Sequence, residues 1–259
     1  MMDALAAEWL KLRSVRSTAW TLAALAGSVL LCLLWSWVVA RAWDGRPPGE
    51  RASLRAAPAE QPLVLALPVC AAVLGALSIT SEYATGMVRT SMAAVPARPR
   101  LFAAKALVLA GVVLPAGLAS VAAAVAAGRV IVGDRAVPSF AEPVAEQLPH
   151  LLAMAAWAAV IALVGYGAGA ALRSTAGAIT AVVVLLMVLP PLADLLPAPW
   201  DERAGSVLLT RLPDQIAAAP AAPGGAGSFS PAGALAVLFL YAAAALAAGA
   251  YSFVRRDAR

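Results

Sequence analysis

Residues 18–40 read TAWTLAALAGSVLLCLLWSWVVA, and these 23 residues contain no charged side chain. At about 1.5 Å per residue, a helix of this length crosses the hydrocarbon core of a bilayer, which is about 30 Å thick. The run is too long for the apolar part of a cleaved signal peptide, so we interpret it as an uncleaved first span. This segment therefore indicates an integral membrane protein.

The rest of the chain repeats this pattern. Of its 259 residues, 62% are hydrophobic and 13% are charged, and the mean hydropathy is +0.84. These values are typical of membrane proteins. We predict an all-α integral membrane protein whose six-span domain covers residues 18–259, with transmembrane helices at about residues 18–40, 62–80, 106–127, 148–172, 176–192 and 232–254. Residues 41–61 are expected to form a polar loop with little regular structure. Residues 193–231 are expected to hold a short interfacial or re-entrant helix followed by a linker rich in proline and glycine.

Residues 1–17 are too polar to span a membrane. Leu5, Trp9 and Leu12 follow helical spacing on one face, and charged residues take another face. This pattern predicts an N-terminal amphipathic helix in the membrane interface. Its interfacial residues would be Trp9, Lys11, Arg13 and Arg16.

The distribution of basic residues indicates the orientation of the chain. With both termini in the cytoplasm, the inner side holds eleven basic and four acidic residues, a net charge of +7, whereas the outer side holds eight and ten, a net charge of −2. Positive residues concentrate on the cytoplasmic side of membrane proteins. We therefore predict a multi-pass protein with cytoplasmic N and C termini. The scarcity of lysine and the abundance of alanine suggest a GC-rich bacterial genome, so we expect the membrane to be a bacterial cell membrane. The basic excess reports orientation rather than nucleic-acid binding.

The sequence indicates no chemistry of its own. Cys32 and Cys70 lie within apolar runs, where they behave as small hydrophobic residues, and His150 is the only histidine. A P-loop ATPase needs a lysine followed by Ser or Thr, but the two lysines precede Leu12 and Ala106. We therefore predict neither an enzyme nor a bound cofactor or metal in this chain.

The six apolar runs contain no Asp, Glu, Lys or Arg. Proton-coupled and ion-coupled transporters usually keep such residues at membrane depth, where each costs at least about 2.5–3.5 kcal/mol. The energy for transport is therefore expected to enter elsewhere. Gly165 and Gly169 form a GxxxG pair, which predicts close packing of another helix. The polar side chains that could line a pathway are Ser120, Tyr166, Thr180 and Tyr241, for each of which a hydrogen bond between helices is the commoner role.

Residues 78–106 read SITSEYATGMVRTSMAAVPARPRLFAAKA and connect the second span to the third. Glu82 stands four residues before Gly86, and Pro96 is followed by two arginines and a lysine. This arrangement resembles the signature that follows the second span of ABC-2-type transporter permeases. Residues 8–18 also resemble the opening segment of many actinobacterial members. With six spans and both ends inside, the resemblance covers essentially the whole chain.

The resemblance implies the permease subunit of an ATP-driven exporter. Two permease subunits, identical or related, would work with two copies of a cytoplasmic ATPase that binds ATP and Mg²⁺. It also implies that residues 87–94 form a short cytoplasmic coupling helix, bounded by a glycine and a proline, that docks on the ATPase. The matching positions are Glu82, Gly86, Met87, Arg89, Thr90, Pro96, Arg98, Arg100 and Lys105. A hydrophobic or amphiphilic cargo, such as an antibiotic, lipid or peptide, fits the uncharged interior.

Glu82 is the only acid among these basic residues. We hypothesise that its ion pair ties the N-terminal helix to the second span. We expect the side chains of Arg98, Arg100 and Lys105 to extend toward lipid phosphates. Gly86 is expected to supply a turn. The candidate partners of Glu82 are Arg13, Arg16, Arg89 and Lys105.

Two other function classes remain open. An ATP-independent secondary transporter or channel would move its cargo along an ion gradient without nucleotide. A non-transporting scaffold or sensor subunit would be encoded beside a kinase or synthase rather than beside an ATPase.

Overall fold

The computed structural model describes residues 2–87, 98–218 and 228–255. All regular structure within these ranges is helical, and six of the described helical segments are long and apolar enough to cross a membrane. The predicted all-α, six-span fold class is therefore confirmed. The predicted coupling helix at residues 87–94 lies almost entirely outside the described residues, as does most of the predicted linker.

The first four spans follow an N-terminal helix. In chain order the helices are α1 (Met2–Ser14), α2 (Arg16–Asp44), α3 (Leu63–Thr85), α4 (Arg98–Val132), the short α5 (Pro138–Ala141) and α6 (Val144–Leu172). A 3₁₀ helix at Pro48–Ser53 lies between α2 and α3.

The second half of the chain contains two spans and two short helices between them. Its helices are α7 (Thr175–Val183), α8 (Leu189–Asp194), α9 (Trp200–Val207), α10 (Leu212–Ala217) and α11 (Pro231–Arg255). The fifth span, Thr175–Asp194, consists of α7, a wider π turn at Val184–Val188, and α8. Pro190 and Pro191 explain this turn, because a proline lacks the N–H that would bond four residues back and its ring clashes with that carbonyl.

The helices around the connection of residues 78–106 are longer than the apolar runs. Helix α3 continues five residues beyond residue 80, and α4 begins eight residues before residue 106. At about 1.5 Å per residue, the 35 residues of α4 extend over about 52 Å, well beyond an apolar core of about 30 Å. Glu82 and Lys105 consequently belong to the spanning helices and not to a loop.

One end of the bundle, which we call the Glu82 end, joins the end of α3, the start of α4 and the end of α11. Arg98 Nη1 donates to the backbone oxygen of Val254 at 3.1 Å. The rings of Phe102 and Phe253 lie 5.7 Å apart, centroid to centroid. In the predicted topology, Arg98 and Phe102 lie on the inner side of the membrane, and Phe253 and Val254 lie at the end of the sixth span.

At the opposite end of the bundle lies the connection between α2 and α3, which contains Glu60. We call this end the Glu60 end. The connection between α2 and α3 was expected to have little regular structure, but it forms the 3₁₀ helix and packs against α4 and α5. Arg135 and Asp44 form an ion pair of 2.8 Å there. Leu209 and Leu212 are buried against the spans. The small hydrophobic core at this end consists of Val39, Leu54, Ala59, Val132, Val137 and Phe140.

Helix α6 lies at the centre of the bundle, and glycines allow its neighbours to approach closely. A Cβ atom at Gly165 would lie 2.6 Å from the carbonyl oxygen of Ala72 in α3, and one at Gly167 would lie 2.2 Å from that of Ala245 in α11. Gly169 likewise faces α3. The GxxxG pair therefore packs α6 against α3 within the chain.

Candidate functional site

Four charged side chains from three helices meet at the Glu82 end. Helix α1 contributes Glu8 and Lys11, α3 contributes Glu82 from its last turn, and α4 contributes Lys105 from near its start. We call these four residues the charge ring. Because the chain has only two lysines, the ring contains every lysine of the sequence.

The charges alternate around the ring. Lys11 Nζ lies 2.9 Å from Glu8 Oε1 and 3.1 Å from Glu82 Oε1. Lys105 Nζ lies 2.8 Å from Glu82 Oε1 and also donates to Glu8 Oε2. Each lysine thus bonds both carboxylates, and the four side chains together have no net charge.

Three of the four members of the ring are buried. Glu8, Lys105 and Glu82 expose only 1%, 5% and 7% of their surface, whereas the side chain of Lys11 exposes 29%. A buried charge is tolerated only where opposite charges and hydrogen bonds compensate its lost hydration. The four charges therefore stabilise one another. Removal of any one of them leaves a charge in the ring that the remaining opposite charges do not fully compensate.

Lys11 keeps its proton under all physiological conditions. Burial lowers the pKa of its ammonium group, but the hydrogen bond to Glu8 and the charges of Glu82 and Glu8 together outweigh burial, so the pKa is raised above 10.5. A raised folded-state pKa stabilises the folded protein fully below pH 10.5, and this stabilisation is lost as the pH rises through the raised value. The contribution of Lys11 to the ring is thus insensitive to pH changes near neutrality.

A cleft of about 310 Å³ opens beside the ring. It lies between α1, the first residues of α2 and the end of α3, and all four members of the ring line it. A space of this size at the end of the bundle gives water or a partner access to the ring. Its other polar lining residues are Ser14, Ser17, Thr18, Ser78, Ser81 and Thr85.

The ring joins the two helices that flank residues 88–97. Helix α3 ends at Thr85 and is followed by Gly86, whose φ of 71° lies in the left-handed region that glycine adopts without strain. The expected turn at this glycine is therefore present. Because Glu82 of α3 and Lys105 of α4 are bonded directly, any displacement of the connecting segment acts on a linked pair of helices.

The positions matched to ATPase coupling fall into three groups. Arg89, Thr90 and Pro96 lie outside the described residues. Glu82 and Lys105 are in the ring. The remaining positions are accessible to a partner, with Met87 and Arg100 exposed, Arg98 half-buried, and Gly86 at the end of α3.

The partners of Glu82 differ in part from those expected. Its pairing with Lys105 is confirmed, and the N-terminal helix is indeed tied to the second span. The residue of α1 that makes this tie is Lys11, however, and not the exposed Arg13 or Arg16. The expectation that Lys105 extends toward lipid is wrong, because two buried carboxylates bind its ammonium group inside the protein.

The face that α1 turns toward the protein also differs from the predicted apolar face. Glu8 is buried, whereas Trp9 is 50% exposed; Leu12 is buried as its spacing suggested. The attraction of the two lysines overrides the apolar pattern at this helix. Glu8 is thus a site residue that the sequence interpretation missed, although its spacing from Lys11 and the scarcity of lysine were signals for it.

Each of the four candidate pathway residues lies on a different helix. Ser120 donates to Ala116 one turn back, and Tyr241 donates to Val207 at 3.2 Å. Thr180 is exposed on α7. The hydroxyl groups of the first two are therefore bonded to backbone carbonyls, and a pathway role for the four stays a prediction.

Tyr166, the fourth candidate, bridges two spans. Its side chain is completely buried, and its hydroxyl donates to the backbone oxygen of Phe102 at 3.1 Å. We expect Tyr166→Phe to lower the free energy of unfolding by about 1 kcal/mol, because one buried hydrogen bond is lost, and to leave transport unchanged. Unfolding midpoints in detergent and cargo flux would check this, with the exposed Tyr251→Phe as control. Loss of flux at unchanged stability would instead assign Tyr166 to the pathway.

Comparison with known proteins identifies one related family. The family described as ABC-2 family transporter protein matches residues 4–189. The matched region contains the whole charge ring, the cleft beside it and the first four spans with most of the fifth. No curated protein matches the chain.

Proposed function

Because this chain belongs to the ABC-2 family of transporter proteins, we propose that this membrane permease drives export with ATP hydrolysed on a separate ATPase subunit. The observation that carries the proposal is the charge ring. It joins α1, α3 and α4 at the point where residues 88–97 would meet a cytoplasmic partner.

The ring provides a way to transmit a push from the ATPase into the membrane. Closure of two ATPase subunits on ATP and Mg²⁺ would displace the segment of residues 88–97. Since Glu82 and Lys105 bond each other and both bond Glu8 or Lys11, α1, α3 and α4 would move together as one body. Helix α3 packs tightly on the central α6, so the displacement would reach the centre of the bundle and favour alternating access.

The remaining parts of the proposal follow from the family and the composition. Two permease subunits, identical or related, would assemble with two ATPase copies in a bacterial cell membrane, with both termini of each permease in the cytoplasm. The six apolar runs contain no Asp, Glu, Lys or Arg, which supports a hydrophobic or amphiphilic cargo such as an antibiotic, lipid or peptide.

In this proposal the ATPase subunit, and not the permease chain, hydrolyses ATP. A P-loop needs a lysine beside the phosphates, whereas Lys11 and Lys105, the only lysines of the chain, are both in the charge ring. Their role here is to hold helices together.

Coupling is tested by removing one charge from the ring while preserving its shape. We expect Glu82→Gln to reduce ATPase stimulation and cargo transport at least about tenfold, because loss of about 1.4 kcal/mol in the coupling step has that effect. The measurement is ATP hydrolysis and flux per purified complex of permease and ATPase, reconstituted in vesicles. Normalisation to assembled complex separates coupling from lower yield.

The matched control is Glu146→Gln, which removes an exposed carboxylate on α6. It should behave as the unaltered protein does. Full stimulation and flux in Glu82→Gln would contradict the coupling role of the ring. Flux that follows an ion gradient without nucleotide would favour a secondary transporter, and an assembled complex without any flux would favour a scaffold.

A further inference from the structure

A second cavity lies at the Glu60 end, opposite the charge ring. Its volume is about 190 Å³. The residues around it come from the segment before α3, the first half of α6 and the region around the start of α10. One part of its wall consists of polar and aromatic side chains, among them Glu60, His150, Trp157, Thr210 and Asp214.

Glu60 presents a buried carboxylate to this cavity. Its side chain is only 9% exposed, and within the described ranges its nearest basic group is the imidazole of His150, with Nε2 at 3.7 Å from Oε1. This separation is longer than a hydrogen bond. In the charge ring, by contrast, Glu82 accepts from lysines at 2.8 and 3.1 Å. Glu60 therefore has unused capacity to bind a positive group.

Asp214 adds a second negative charge on the other side of the histidine. Its Oδ1 lies 3.8 Å from His150 Nδ1, and its side chain is 80% exposed. The two carboxylates thus flank one imidazole at the mouth of the cavity. A cation that enters would be attracted by both.

Trp157 contributes an aromatic wall and an unmet hydrogen bond. The residue is 2% exposed, and its indole N–H has no acceptor among the described residues. A buried N–H without an acceptor is costly. Met154 lies beside it in the wall. The cavity therefore combines a buried carboxylate with an aromatic side chain, two groups that favour a cation.

We propose that this cavity binds a small organic cation of the alkylammonium or quaternary-ammonium class. Glu60 and Asp214 attract the positive charge, and the ring of Trp157 contacts it. The volume is below the roughly 300–1,000 Å³ typical of sites for drug-sized ligands, so the ligand is small. This site does not depend on ATP-driven export.

The test uses choline as the probe and the full-length purified chain in detergent. Choline carries both a cationic centre and a hydroxyl group, and 3,3-dimethylbutan-1-ol has the same shape without the charge. We expect equilibrium dialysis with labelled choline to give saturable binding with a Kd of about 1 mM or tighter. The neutral analogue should not displace it. Absence of saturable binding up to about 10 mM, or equal displacement by the neutral analogue, would overturn the proposal.

Variants then assign the binding to this cavity. We expect Glu60→Gln to weaken choline binding at least about tenfold, and the exposed Asp214→Asn to weaken it about threefold. Glu146→Gln, which removes a carboxylate outside the cavity on the same helix as His150, should bind as before. If Glu60→Gln does not fold, the affinity of the Asp214→Asn variant for choline tests the site instead. Unchanged affinity in the folded variants would refute the site.

Discussion

Replacing Lys105 with methionine should lower the free energy of unfolding by about 3–5 kcal/mol, because it leaves the buried carboxylates of Glu8 and Glu82 with only one lysine between them. Methionine preserves most of the volume of the lysine side chain, so the loss reflects charge rather than a cavity. We expect little folded protein in detergent at room temperature. The measurement is the yield of monodisperse protein together with its unfolding midpoint.

Two comparison variants make the result specific. Arg100→Met removes an exposed cation from the same helix and should change stability by less than about 0.5 kcal/mol. The double variant Lys105→Met with Glu82→Gln restores charge balance in the ring and should recover much of the loss. If Lys105→Met were as stable as the unaltered protein, or if the double variant were worse than the single one, the ring would not act as a balanced unit.

Gly75→Ala should be at least as damaging, with an expected loss of more than about 3 kcal/mol. A Cβ atom at Gly75 in α3 would lie 2.0 Å from the carbonyl oxygen of Ala162 in α6 and 2.8 Å from its carbonyl carbon. Both atoms belong to the backbone, so no side chain can rotate out of the way. The two helices would have to separate, and α6 is the helix on which α3, α4 and α11 pack.

The control for this variant is Gly27→Ala in α2, where a Cβ atom would meet nothing within 4 Å. Both substitutions add the same methyl group to a spanning helix, and both remove the same helix penalty of glycine, about 0.5–1 kcal/mol. Gly27→Ala should therefore be neutral or slightly stabilising. Equal unfolding midpoints for the two variants would show that α3 and α6 are not held at the separation described here.

The six spans were predictable because each apolar run lacks Asp, Glu, Lys and Arg and has a length within the roughly 17–25 residues of a transmembrane helix. The ends of the helices were not predictable in the same way. Helices α3 and α4 continue into polar sequence up to Thr85 and from Arg98, since Glu82 and Lys105 neutralise each other. Apolarity alone places the boundary of a span at the first charge, whereas these two helices continue past charges that are paired within the protein.

The candidate site was predictable only in part for a related reason. Glu82 was identified because it is an isolated acid among basic residues, and one of its partners followed from that contrast. Glu8 was missed because a glutamate beside a tryptophan on an amphipathic helix is normally the solvent-facing residue. Its burial depends on Lys105, which lies 97 residues away in sequence, and no local pattern reports such a contact. The ordered connections at the Glu60 end were missed because their core also forms from distant segments.

The order of synthesis gives the charge ring one further consequence. Helix α1 leaves the ribosome before α3 and α4, and Glu8 cannot meet Lys105 until 97 further residues have been added, which takes about 5–20 s at usual elongation rates. During that interval the first two spans can already enter the bilayer, while the amino-terminal helix still lacks its final anchor. Helix α1 is thus made before the two spans that hold it and gains both of its ion-pair partners only when the third span has joined the second, while the contacts of α11 with this end form later still.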